Sequence, residues 1–373
     1  MHVGLGLTMQ CLDGTVTDAE VYREELGLAA RAEEVGYDSV WFSEHHFSDY
    51  QLTPQTPMVL SWLAGQTKRL KLGQMVTVLP WHDPVRIAES YAVLDHLSGG
   101  RAIVGLGRGL GRIEFDKFRL EMGESRRRFT EYSDAILSAL ETGTIEYDGE
   151  LYKQPPAEIR PRPFSSFKGR TFAAAVSPAS MELMARMGVG ILVIAQKPWD
   201  TAVMELAQYR ERFRELNGIE APKPVLVLVA GVSRDRKQIT RMRDVYLQRW
   251  ARSTVDHYQF DNPGFAQIEG YEYYGALAAN IAKHGLERFN GFLADLQVWG
   301  TPQEVTEKLL DYTERCDAGA LVIDVTFGGM PYEEARANFD LFSTEVLPQL
   351  HSHDVGGDIG VSYDATFQGT PAA

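Results

Sequence analysis

A chain of 373 residues, 44% hydrophobic and 24% charged, has the make-up of a water-soluble globular protein, with room for one large domain or two ordinary ones. Its net charge of −14 argues against a nucleic-acid partner, which calls for a basic face, but not against a small phosphate-bearing ligand held at a local site. Two cysteines, Cys11 and Cys316, support neither a disulfide framework nor a zinc cluster; no run of about 18 apolar residues suggests a membrane span, and no leader is visible at the N-terminus, so a cytoplasmic location is expected.

Short apolar runs alternate with longer amphipathic ones. Residues 3–7 form the first predicted strand. Asp18 reads as the cap of a helix that runs to about residue 34, with Gly36 at its end. A second strand at 39–42 stops just before Glu44-His45-His46-Phe47. A helix at 56–67, a strand at 70–79, and a helix from Asp83-Pro84 to Ser98-Gly99-Gly100 follow. Next come a strand at 102–106 and a helix at 125–140. Residues 142–170 break the rhythm with a hairpin-like Tyr147-Asp148-Gly149-Glu150 and a run of prolines, an insertion before the fifth strand at 171–175. Strands at 190–195, 225–231 and 320–325 complete the set, with helices at 199–216, 235–255 and 331–350.

Eight strands, each followed by helix, imply parallel pairing through right-handed crossovers. The count fits a (β/α)8 TIM barrel with insertions, a single domain over residues 1–351. An open doubly wound sheet is the alternative, although no G-x-G-x-x-G follows the first strand. Residues 256–297 are rich in aromatic residues and lack a clean strand; they read as a lid, a self-packed surface insertion or a dimer contact. Residues 352–373 lack periodicity and are expected to be a disordered tail.

In a barrel of this kind, reactive groups come from the C-terminal ends of the strands, where the Glu-His-His-Phe tetrad falls. Neighbouring side chains in extended backbone point to opposite faces, so His45 and His46 are not expected to share one role. No third ligand at a convincing spacing accompanies them, and no metal site is expected.

The tetrad, together with Gly36-Tyr37-Asp38-Ser39-Val40-Trp41, Val78-Leu79-Pro80, Leu94-Asp95-His96-Leu97-Ser98-Gly99-Gly100-Arg101, residues 105–110 and Gly300-Thr301-Pro302-Gln303-Glu304, resembles the bacterial luciferase-like flavin monooxygenases, the luciferase alpha subunit among them. The match is collinear over nearly all of residues 1–350. The resemblance implies a (β/α)8 barrel that binds reduced FMN supplied by a separate flavin reductase. The reduced flavin reacts with O2 to a C4a-hydroperoxide that oxygenates a small apolar substrate such as an aldehyde or ketone. It also implies pairing of barrels through helices of the N-terminal half, here as a homodimer. Light emission is not implied. A deazaflavin-dependent hydride-transferring oxidoreductase and a non-catalytic flavin-binding paralogue stand as alternatives on the same fold.

His45 then aligns with the family's catalytic histidine, suited to proton transfer near neutral pH; His46 is read as structural. Arg108, between Gly107 and Gly109, offers a planar fork to the flavin phosphate, and the glycines would let backbone approach the ligand. Ser177 and Ser180 open a helix whose N-terminus suits a phosphate. Met75 and Val76 match a non-proline cis peptide beneath the flavin ring, and Leu110 and Glu114 match the flavin pocket. Val176 stands where the family has a glutamate, and Gly107 where luciferase has a cysteine.

Overall fold

All six residues of His2–Leu7 (β1) are buried, because neighbours cover both edges and both faces of the strand. In the computed structural model, which describes residues 1–356, β1 pairs in parallel with Ser39–Phe42 (β2) and with Ala320–Asp324 (β8). Lys71–Gln74 (β3), Ala102–Gly107 (β4), Thr171–Ala174 (β5), Gly190–Ile194 (β6) and Val225–Val232 (β7) continue the ring in order. β7 pairs with both β6 and β8, so the ring closes. It is the expected (β/α)8 barrel, and the open sheet is excluded.

The barrel is plugged, not hollow. Trp41, Met75, Ile103, Phe172, Leu192, Val225, Val227, Ala320 and Val322 form one apolar cluster inside it. Trp41 is its largest member, and Gly73 makes room: a Cβ there would stand 2.3 Å from the indole. The indole Nε1 donates to Ser39 Oγ at 2.8 Å, so no polar atom of Trp41 is stranded.

Most predicted helices are present. The first, Asp18–Val35 (α1), is capped by Thr17 rather than Asp18: Thr17 and Glu20 form a reciprocal capping box, which leaves Asp18 as the first helical residue. Thr56–Gln66 (α2) and Pro84–Ser98 (α3, capped by Asp83) match their expected spans. Pro302–Cys316 is a helix that the periodicity reading passed over, although Thr301 and Glu304 spell out its capping box. The 142–170 insertion contains an antiparallel hairpin, Thr144–Asp148 with Lys153–Glu158.

Two stretches differ more. The expected continuous strand at 70–79 is broken by the cis peptide Met75–Val76 into β3 and the short strand Thr77–Val78, which pairs with β4. Residues 256–297 contain two helices, Glu272–His284 and Leu286–Asp295. The expected tail falls almost wholly on residues 357–373, outside the described residues.

Candidate active site

A cavity opens at the C-terminal mouth of the barrel. Glu44, Arg108, Ser177, Gln196, Val229 and Asp324 line it from the strand ends, and Tyr258, Tyr273 and Tyr274 line it from the aromatic segment.

His45 and His46 leave β2 toward different carboxylates. His45 Nδ1 lies 3.1 Å from Glu114 Oε1, on the helix Arg112–Phe118, and its Nε2 lies 3.1 Å from the Tyr258 hydroxyl. Burial opposes the charge on Glu114, but His45 and His257 outweigh it and hold the carboxyl down to about 2. Glu114 is therefore a carboxylate at neutral pH and must accept, so Nδ1 of His45 carries a proton. Burial, with the neighbouring Tyr50 and Glu114, pushes the Tyr258 hydroxyl well above its ordinary range, so it keeps its proton. In the neutral ring, Nε2 then accepts from Tyr258, and it is the nitrogen free to exchange a proton at the cavity.

The same Glu114 oxygen accepts from the backbone N–H of His46 at 2.8 Å. Its other oxygen faces His257 Nε2 at 3.5 Å, longer than a good hydrogen bond, and neither atom has another partner among the described residues. His257 stacks on Tyr50 with ring centroids 4.4 Å apart, and its Nδ1 meets Ser48 Oγ at 3.0 Å. Burial pulls its pKa down, which favours the neutral ring. His45, Glu114 and His257 thus bring three possible ligand atoms within 4.8 Å of one another. Sequence spacing offered no third ligand; His257 arrives from the far aromatic segment, where local spacing does not reach. The 3.1 Å contact from Nδ1 to Oε1 is that of a hydrogen bond, and the cluster is read as a hydrogen-bonded one.

His46 serves Glu44 instead. Glu44 Oε1 accepts from His46 Nε2 at 2.9 Å and from His82 Nε2, while Oε2 accepts from the Val78 N–H at 2.8 Å. Burial opposes its charge, but these bonds outweigh it and hold the carboxyl below its usual range. Trp81 and Phe118 pack edge-on against the His46 ring.

On another side of the cavity, Ser177 caps the helix Pro178–Met187: its Oγ accepts from the Ser180 N–H at 3.3 Å and meets Ser180 Oγ at 2.9 Å. Lys197 reaches the carbonyl of Val176, the residue that replaces the family's glutamate, and pairs with Glu205 at 2.6 Å. Arg108 lines the cavity, donates to the Gly270 carbonyl at 2.8 Å and lies over the Tyr271 ring at 4.0 Å. It ties the end of β4 to the aromatic segment. Arg126, which sequence reasoning did not single out, approaches the same Gly270. Leu110, Met75 and Val76 also line the cavity.

The glycines around Arg108, two of which line the cavity, also leave room for the neighbouring chain. A Cβ at Gly107 would stand 2.1 Å from the Val76 side chain, and one at Gly109 would stand 2.7 Å from Val78. A Cβ at Gly105 would stand 1.6 Å from the Gln74 carbonyl oxygen. They admit the chain around the cis Met75–Val76 bond.

The luciferase-like monooxygenase family model matches residues 1–318. The alkanal monooxygenase alpha chain of Photobacterium leiognathi is 27% identical over 338 residues, covering 89% of this chain and 94% of that protein. Among solved structures, the monooxygenase RslO1 of Streptomyces bottropensis superposes with a TM-score of 0.76 at 24% identity, covering 94% of this chain and all of that one. The oxygenating constituent of the Pseudomonas putida 3,6-diketocamphane monooxygenase, in complex with FMN, gives 0.71 at 19% identity (94% and 98% covered). An F420-dependent secondary alcohol dehydrogenase gives 0.70 at 16% identity, with the same coverage. At these identities the solved structures speak for the fold, and the family model for kinship. The chain belongs to the luciferase-like monooxygenase family and is an oxidoreductase of that family.

Proposed function

We propose that this chain takes reduced FMN from a separate flavin reductase and uses O2 to oxygenate a small apolar substrate, an aldehyde or ketone. One observation carries the reading: a single cavity has a helix start suited to a phosphate on one side and, on another, His45, whose Nε2 meets the hydroxyl of the cavity-lining Tyr258. The donor set fits FMN. Ser177, Ser180 and the N–H groups behind them would hold the phosphate, with Arg108 adding charge. Met75, Val76 and Leu110 would hold the ring. Reduced FMN, when bound, supplies the electrons that activate O2.

The protein's own work is proton management and exclusion of water. Glu114 keeps a proton on His45 Nδ1, which fixes Nε2 as the atom that takes up and returns a proton, with Tyr258 as its partner. The tyrosines above the cavity keep bulk water out, a lid in function.

A homodimer is part of the proposal. Met58, Trp62, Val93 and Leu97 stand 70%, 44%, 41% and 57% exposed on α2 and α3, which pack against each other. Trp62→Asp is expected to give a monomer by light scattering; a wild type that is already monomeric would remove this part. No helix of the described residues is long and apolar enough to cross a membrane.

The test of function is O2 uptake with enzymatically reduced FMN, with and without decanal. Decanal oxidation that requires O2 supports the reading. Decanal reduced to decanol without O2, as the flavin is oxidised, would point instead to hydride transfer.

A further inference from the structure

The proton chemistry above leaves one buried acid at the cavity unused. Asp324 ends β8 on the same face as Val322, two residues back, and so stands directly above the apolar plug of the barrel. Asp324 lines the cavity and is 7% exposed, and its Oδ1 has no hydrogen-bond partner among the described residues. The fold makes space for it. Asp324 lies in register with Gly6 of β1, where a Cβ would stand 1.9 Å from Oδ1 and 3.2 Å from the end of Met75.

Among the described residues, none forms a salt bridge with this carboxyl. The groups that sense its charge are Tyr50, a phenol, and Glu25 of α1. Glu25 accepts from the Met9 N–H and from Thr326 Oγ1, and burial pushes it up to about 8. Burial likewise pushes Asp324 up to about 7. A buried carboxyl that lines a ligand-sized cavity, with one oxygen left unpartnered against Gly6 and its charge disfavoured by burial, has hydrogen-bonding capacity to spare for a ligand.

Resting on the monooxygenase reading, we propose that Asp324 binds as a protonated carboxylic acid and donates a hydrogen bond to a carbonyl oxygen of the molecule seated on the barrel floor. Two molecules bring such an oxygen: the flavin, on its pyrimidine ring, and an aldehyde or ketone substrate. In either case Asp324 is a binding residue that orients its ligand by one directed bond from an otherwise apolar floor.

The test compares Asp324→Asn, which keeps a donor in place, with Asp324→Leu, which removes it. FMN affinity is read from quenching of flavin fluorescence, and decanal affinity from tryptophan fluorescence of the flavin-free protein, both at mildly acidic pH. Leu is expected to weaken one ligand about tenfold, and Asn to stay within about threefold of wild type, the scale of a single hydrogen bond. A loss for FMN assigns the bond to the flavin, and a loss for decanal to the substrate. Leu that binds both ligands like wild type overturns the proposal, as does Asn that weakens binding as much as Leu. Should Leu unfold early in a thermal scan, Asp324→Ala serves in its place with the same outcomes. A wild type that binds no FMN would instead contradict the monooxygenase reading.

Discussion

Glu44 and Glu114 are buried carboxylates on the same rim of the barrel, and each holds histidines, yet the two clusters differ in what they leave open. Glu44 is saturated: two imidazoles and a backbone N–H fill its oxygens, and aromatic rings pack against His46. Glu114 is not: its Oε2 and His257 Nε2 face each other at 3.5 Å without other partners, and the histidine it orients keeps its second nitrogen at the cavity. A fully satisfied polar cluster rigidifies, whereas one with spare capacity has groups left for chemistry. Adjacent residues of one tetrad thus meet different carboxylates, and the surroundings of the two differ in what they leave open.

The sharpest way to break this comparison is to remove the two histidines separately. His45→Ala is expected to lower turnover about 100- to 10,000-fold, the range of a lost general acid–base, while FMN affinity stays near wild type. His46→Ala is expected to spare turnover and cost about 1–3 kcal/mol in urea unfolding, because Glu44 loses a partner in a buried site. Equal kinetic losses in the two variants would erase the distinction. Glu44→Ala comes next: it strands two histidines and a backbone N–H, and should cost about 3–5 kcal/mol of stability. Glu114→Gln should lower turnover about 10- to 100-fold by loosening the His45 ring, with a smaller effect on stability.

The two carboxylates also set the acid limb of stability. Both have folded-state values below the unfolded one, for Glu114 about 2 against 4.5. The unfolded chain therefore binds protons first, and the stabilisation is complete above 4.5 and lost as pH falls toward 2. Glu25 has the opposite sign: raised to about 8, it is a contribution present below 4.5 and lost as pH rises through 8. Glu25→Gln should thus gain stability relative to wild type on the alkaline side, in thermal scans from acid to alkaline pH. The smallest expected effect is that of metal removal. Dialysis against EDTA should leave turnover unchanged, whereas a loss restored by one divalent cation would make His45, Glu114 and His257 a metal centre.

Much of the barrel was legible because it rests on local signals. Strand runs such as 225–231, the Asp83-Pro84 helix start and the glycine ends α1 and α3 needed no partner to be read. The tetrad's position at a strand end, and the resemblance it carries, pointed to His45 and to the Met75–Val76 bond, which is cis. What escaped depends on distance. His257 and Tyr258 meet His45 only because the aromatic segment folds back over the mouth of the barrel. Asp324 reads as an ordinary strand end until Gly6 is placed beside it. Gly107 and Gly109 read as glycines that admit a ligand, and only the folded chain shows that they also make room for Val76 and Val78.

The central claim is that Glu114 orients His45 to manage a proton at the cavity. Its most direct test is the ratio of decanal oxidised to O2 consumed, measured across pH for wild type, His45→Ala and Glu114→Gln with reduced FMN. The account expects O2 uptake to persist in both variants, with a low ratio in His45→Ala, the balance appearing as hydrogen peroxide, and a shifted pH profile in Glu114→Gln. A ratio in His45→Ala equal to that of wild type at every pH would contradict it.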